Sequence, residues 1–134
     1  MKRQLKQVQT FNESFGVVVN EEPTFLDQPT FELGVRLLKE EIEEYEKAHN
    51  EGDMVEVADG AVDILFIAIG IVIKNGLQDV IEELFDEVFL SNQSKLHNGK
   101  ALLRDDNKVM KGKNYFKPEI KKILEKKYGK SYGQ

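Results

Sequence analysis

The chain has 134 residues, enough for a single domain with a sizeable core. Its net charge of -5 argues against a general nucleic-acid binder, although the C-terminal third is locally basic. The absence of cysteine excludes disulfides and thiolate metal sites. The N-terminus MKRQLKQVQT lacks the apolar core of a signal peptide, and no apolar run is long enough to span a bilayer. A cytoplasmic protein that binds neither membrane nor nucleic acid is therefore expected.

Leu5, Val8, Phe11 and Phe15 recur at helical spacing, and Gly16 stops a short amphipathic helix. Asn20 to Pro29 reads as a loop. Thr30 to about Asn50 forms a long helix, and a turn at Asn50 to Asp53 leads into a second one, Met54 to Lys74. Asp53 stands three residues before Glu56, the spacing of an N-terminal capping box. Leu77 to Leu90 shows a one-faced apolar pattern, and after Ser91 it dissolves into loop. A short strand pair is expected at Ala101 to Leu103 and Lys108 to Met110, and a last helix after Pro118 reaching Tyr128. The fold class is all-α, a bundle of four to five helices.

The Met54 to Lys74 helix, MVEVADGAVDILFIAIGIVIK, is apolar almost all the way round and should lie buried. One chain offers too few apolar faces to enclose it, so a homodimer or a dimer of dimers is expected. Glu56, Asp59 and Asp63 nevertheless form one narrow stripe on this helix, and buried carboxylates are unfavourable unless a positive group meets them.

The preceding helix carries KEEIEEYEK. Glu43 and Glu46 fall on a polar face among Arg36, Lys39 and Lys47. Glu41 and Glu44 project into the apolar arc of Leu37, Leu38, Ile42 and Tyr45, with Glu40 at its edge. The short turn makes the two helices antiparallel neighbours, about 8–10 Å apart, so acids from both can share one ion. Left uncompensated, they would raise one another's pKa and destabilise the fold. All-oxygen ligation without a usable histidine cluster points to Mg²⁺, or Mn²⁺, rather than Zn²⁺. His49 and His97 read as surface residues, and no oriented base makes a nucleophile of Ser94.

Glu40-Glu41-Ile42-Glu43-Glu44 followed by Glu56-Val57-Ala58-Asp59 resembles the EExxE…ExxD signature of the MazG-like, all-α nucleoside triphosphate pyrophosphohydrolases. That superfamily includes phosphoribosyl-ATP pyrophosphohydrolase and the dimeric all-α dUTPases. The resemblance extends to Ser91-Asn92-Gln93-Ser94-Lys95-Leu96, similar to an SNxSKL element of one bacterial and phage branch. It extends also to Lys108 through Tyr115, with Pro118, similar to that branch's KVxKGxNY…P segment. Gly60 and Gln93 depart from the more usual Ala and Met.

The resemblance implies that Glu41, Glu44, Glu56 and Asp59 ligate Mg²⁺ and that Glu40 orients or deprotonates the attacking water, with Asp63 in support. It implies hydrolysis of a (deoxy)nucleoside triphosphate to the monophosphate and pyrophosphate, a nucleotide house-cleaning role with a lean toward dUTP or dCTP. Asn92, Lys95, Lys111 and Tyr115 would complete the nucleotide pocket. Plainer readings make Lys95 a helix C-terminal cation and Tyr115 a core residue. Phosphoribosyl-ATP is the alternative substrate. A dimeric helical module with a structural ion is the non-enzymatic rival.

Overall fold

Two helices joined by a two-residue connection form the backbone of the molecule, and the local sequence explains both their ends. The computed structural model describes residues 1–133. α1 spans Lys2–Ser14, α2 Gln28–Glu51, α3 Met54–Lys74, α4 Ile81–Gln93 and α5 Ile120–Tyr128. A two-stranded antiparallel hairpin, β1 (Leu102–Leu103) and β2 (Val109–Met110), lies between α4 and α5, with Leu102 opposite Met110. The chain is thus mainly helical, an all-α fold. It divides into two compact units, Met1–Asp79 and the segment from Val80 onward. None of the described helices is long and apolar enough to cross a membrane.

In the first unit Asp27 caps α2, its carboxylate accepting from the Thr30 backbone N–H at 3.0 Å and the Thr30 hydroxyl at 2.9 Å. α2 ends at Gly52, whose φ of 71° is the left-handed conformation glycine adopts without strain. Asp53 then caps α3 by accepting from the N–H groups of Val55 and Glu56 at 3.0 and 3.2 Å. Both helices therefore stop and start within two residues, and α3 must return along α2. They pass close together at Gly60, where a Cβ would stand 3.3 Å from Tyr45 Cα. α1 packs on α3, burying Leu5 and Val8 and setting the Phe11 ring edge-on to Phe66 at 5.3 Å.

The loop between α1 and α2 ties down the C-terminus of α3. The Asn20 side chain donates to the Lys74 carbonyl at 2.7 Å, Thr24 N–H donates to the Asn75 carbonyl at 3.0 Å, and Gln78 donates to the Asn20 carbonyl at 2.6 Å. These bonds occupy carbonyls that a helix end leaves unpaired. Gln78 is drawn into this network, and the regular helix expected from Leu77 begins only at Ile81 and runs on to Gln93. α1 and α2 likewise begin two or three residues earlier than the apolar pattern suggests.

Within its own chain α3 is only partly enclosed, as the small number of apolar faces leads one to expect. Ile69 and Ile73 are buried, but Val55, Val62 and Leu65 are 76%, 61% and 54% exposed. Within the first unit α1 and α2 cover only part of its circumference.

Candidate active site

The α2–α3 hairpin brings four carboxyl groups into mutual range. Glu41 stands at the centre: burial, the neighbouring Glu44, then Asp63 and Asp59 push its carboxyl above the ordinary value of 4.5. A carboxyl hydrogen bond between Glu41 and Glu44 acts in the same direction. Glu41 Oε2 is shut off from solvent and has no hydrogen-bond partner. A buried, unsatisfied carboxylate oxygen among like charges is a high-energy arrangement, and it exists because helix packing fixes the backbone beneath it. The close passage of Gly60 under Tyr45 sets that spacing, bringing Glu44 and Asp59, the residues just before this pair, to the same level of the hairpin.

The six acids named from the sequence do not all join this group. Glu44 and Asp59 are exposed and Asp63 is half-buried, yet all three act on Glu41. Asp63 acts more strongly than Asp59, although the spacing argument gave it only a supporting part. Glu56 is exposed in the first turn of α3 and is not among the groups acting on Glu41. Glu40 is exposed beside Glu41 on α2. Among the described residues, no three Asp, Glu or His side chains converge tightly enough to cage an ion. Like charges favour rotamers that spread apart, and holding an ion here would require side-chain rotation. The donor set is all oxygen and suits a hard divalent cation.

Asn92, Lys95, Lys111 and Tyr115 all lie in the second unit, gathered around the C-terminus of α4. Lys95 Nζ donates to Asn92 Oδ1 at 2.8 Å, and Lys111 Nζ sits 4.7 Å from the centre of the Tyr115 ring. Gly112 N–H donates to the Lys95 carbonyl at 3.0 Å, and Tyr115 N–H to the Gly112 carbonyl at 3.2 Å, which closes the loop on itself. Ser91 Oγ donates to the Phe116 carbonyl and Ser94 Oγ accepts from Phe116 N–H, so both serines hold the loop in place. The residues of the two sequence motifs are thus neighbours in space.

Residues 8–92, spanning most of α1 through α4, match the family profile of phosphoribosyl-ATP pyrophosphohydrolase. The chain belongs to that family. Its chemistry is accordingly pyrophosphohydrolysis of a nucleotide-like substrate. No individual curated protein matches the chain. In this family member the matched region contains the whole acid-bearing hairpin and ends at Asn92, before Lys95 and the Lys111 to Tyr115 loop.

Lys74 is the charged group that sequence reasoning passed over. Its ammonium lies against Gly34 of α2 at the far end of the hairpin, partly buried and held below its ordinary pKa of 10.5 by that burial. The signal was present as a lone cation closing an apolar helix, but helix C-termini commonly carry one.

Proposed function

We propose that this family member hydrolyses a (deoxy)nucleoside triphosphate to the monophosphate and pyrophosphate with Mg²⁺, Mn²⁺ being a possible substitute, in a house-cleaning role in the cytoplasm. The observation that carries the reading is Glu41, whose buried oxygen lacks a partner amid Glu44, Asp63 and Asp59. An acidic site accepts a polyanionic substrate only through cations. Glu41, Glu44, Glu56 and Asp59 are the residues that would hold them, with Asp63 in support to hold a metal-bound water. When bound, the metal supplies charge neutralisation for the triphosphate and the leaving pyrophosphate. Glu40, exposed beside the ligand set, accepts a proton from the attacking water. Asn92 and Lys95 are suited to phosphate oxygens, and Lys111 and Tyr115 would complete the nucleotide pocket.

Phosphoribosyl-ATP is the second reading, favoured by the family description itself. A homodimer or dimer of dimers is part of the proposal, supported by the exposed apolar surface of α3 at Val55, Val62 and Leu65 and of α2 at Leu33 and Leu37. The test is pyrophosphate release from each dNTP and from phosphoribosyl-ATP, with Mg²⁺ and with Mn²⁺. Turnover of a dNTP supports the first reading, and turnover of phosphoribosyl-ATP alone replaces it with the second. Failure with every substrate, in protein shown by calorimetry to bind Mg²⁺, leaves the structural-ion module. Sedimentation as a monomer at micromolar concentration would sink the dimer.

A further inference from the structure

The first unit contains a second concave feature, at the end of the hairpin away from the acids. A cavity of about 420 Å³ opens between the N-terminal turns of α2 and the C-terminal turn of α3. Phe25, Phe31, Val35 and Ile71 supply its apolar walls. That volume falls within the range of sites for small organic ligands, roughly 300–1,000 Å³. Phe25 is wholly exposed in the free chain and Phe31 half-exposed, so two aromatic faces stand open at its mouth.

One charge enters this cavity. Gly34 lacks a side chain where α2 faces Lys74, and a Cβ there would lie 2.8 Å from Lys74 Nζ. The glycine thus makes room for the ammonium against the helix backbone. The Lys74 ammonium has neither a hydrogen-bond nor an ion-pair partner among the described residues, the Asn20 bond going to the Lys74 carbonyl. The two amides at the rim are already engaged, Gln28 Nε2 with Glu32 Oε1 at 2.8 Å and Asn75 Nδ2 with the Ile71 carbonyl at 2.9 Å. Lys74 is therefore the uncommitted donor of the cavity, set among apolar walls where its charge is poorly solvated.

A lone cation beneath two aromatic rings and two aliphatic walls defines its complement. We propose that the Lys74 cavity is a binding site for a small aromatic monoanion, a planar ring bearing one carboxylate, sulfonate or phosphate group. The acidic group pairs with Lys74, and the ring lies against Phe25 and Phe31. The helix rise of 1.5 Å per residue puts Gly34 about 10 Å from Glu41 along α2, and Lys74 about 16 Å from Asp63 along α3. The cavity is therefore distinct from the acid group, and the proposal stands whatever substrate that group takes.

The probe pair is 8-anilino-1-naphthalenesulfonate and its uncharged counterpart N-phenyl-1-naphthylamine, titrated by fluorescence into the full chain. The anionic probe is expected to bind with saturation. Lys74→Met should weaken it at least tenfold while leaving the neutral probe within twofold. Gly34→Ala, which forces the ammonium out of its place, should weaken the anionic probe in the same sense, and this second variant decides the matter if Lys74→Met does not fold. Phe31→Ala should weaken both probes. Equal affinity for the anionic probe in the wild type and in folded Lys74→Met or Gly34→Ala overturns the proposal. So does the absence of any Lys74-dependent binding because a second copy of the chain covers the cavity.

Discussion

The two ends of the α2–α3 hairpin carry opposite electrostatic faults. Near the Gly52–Asp53 connection Glu41, Glu44, Asp59 and Asp63 repel one another with no cation among them. At the far end the Lys74 ammonium is desolvated with no anion beside it among the described residues. The helices could have cancelled these charges had either set been placed a few turns along. They instead hold each charge apart, and an uncompensated charge on an apolar scaffold lowers stability while creating affinity for whatever completes it. The difference between the ends is one of number. Four acids suit a divalent cation with its polyphosphate, whereas one ammonium suits a single acidic group.

The acid end should break most completely. Glu41→Gln and Asp59→Asn are each expected to lower pyrophosphate release at least about 100-fold, because each removes the charge of a proposed metal ligand while preserving shape. Both should leave the helical circular dichroism unchanged. Removing one of several crowded negative charges should also raise the melting temperature of the metal-free protein. Mg²⁺ should raise the melting temperature of the wild type and do so much less in either variant, following mass action on the folded state. A variant that keeps near-normal turnover, or gains nothing in metal-free stability, would remove its residue from the group.

The hairpin was legible in the sequence for local reasons. Asp27, Gly52 and Asp53 are helix punctuation, and each acts through hydrogen bonds to residues within four positions. Helical periodicity on two neighbouring faces also foretold that Glu44, Asp59 and Asp63 would come within range of Glu41, but the same argument included Glu56, which is exposed and not among the groups acting on Glu41. Other features depend on contacts distant in sequence. The late start of α4 reflects Gln78 bonding to Asn20, 58 residues away, which no window around Leu77 contains. The Lys74 cavity depends on Gly34 lying opposite a residue 40 positions later, a register that only the packed pair reveals. The partial exposure of α3 was legible too, because a count of the apolar faces in one chain already fell short of enclosing it.

Gly60→Ala should have an intermediate effect and tests the spacing of the acid end. The added methyl would meet Tyr45 Cα at 3.3 Å, and backbone cannot rotate away as a side-chain tip can. Alanine favours the helix by up to about 1 kcal/mol, so the net stability change should be about 1 kcal/mol or less in either direction. Parting the helices by a few tenths of an ångström should nevertheless lower hydrolysis about tenfold, since ligands from both must converge on one ion. Loss of stability with full activity would show that the acids do not depend on this contact. Anionic-probe binding at Lys74, about 16 Å further along α3, should be unaffected.

The smallest effect belongs to Lys74→Met and reads the sign of the other fault. Burial holds the Lys74 pKa below 10.5 in the folded chain, whereas unfolding restores the ordinary value. Between those two values the unfolded state binds more protons, so this group makes wild-type stability rise with pH across that window. At neutral pH, below the window, the charge is fully present and its desolvation is unfavourable. Methionine has similar length and no charge, so Lys74→Met should melt about one or two degrees higher than the wild type at pH 7. The gap should narrow as pH rises toward 10.5, where the wild-type lysine has also become neutral in the folded state. Other lysines and tyrosines titrate there too, so the decisive quantity is the difference between the two melting curves, in which their shared contribution cancels. An aromatic monoanion that pairs with Lys74 should reverse the order at neutral pH by stabilising the wild type alone. If the gap is the same at pH 7 and near pH 10.5, the ammonium is solvated and the contrast between the two ends of the hairpin reduces to its acids.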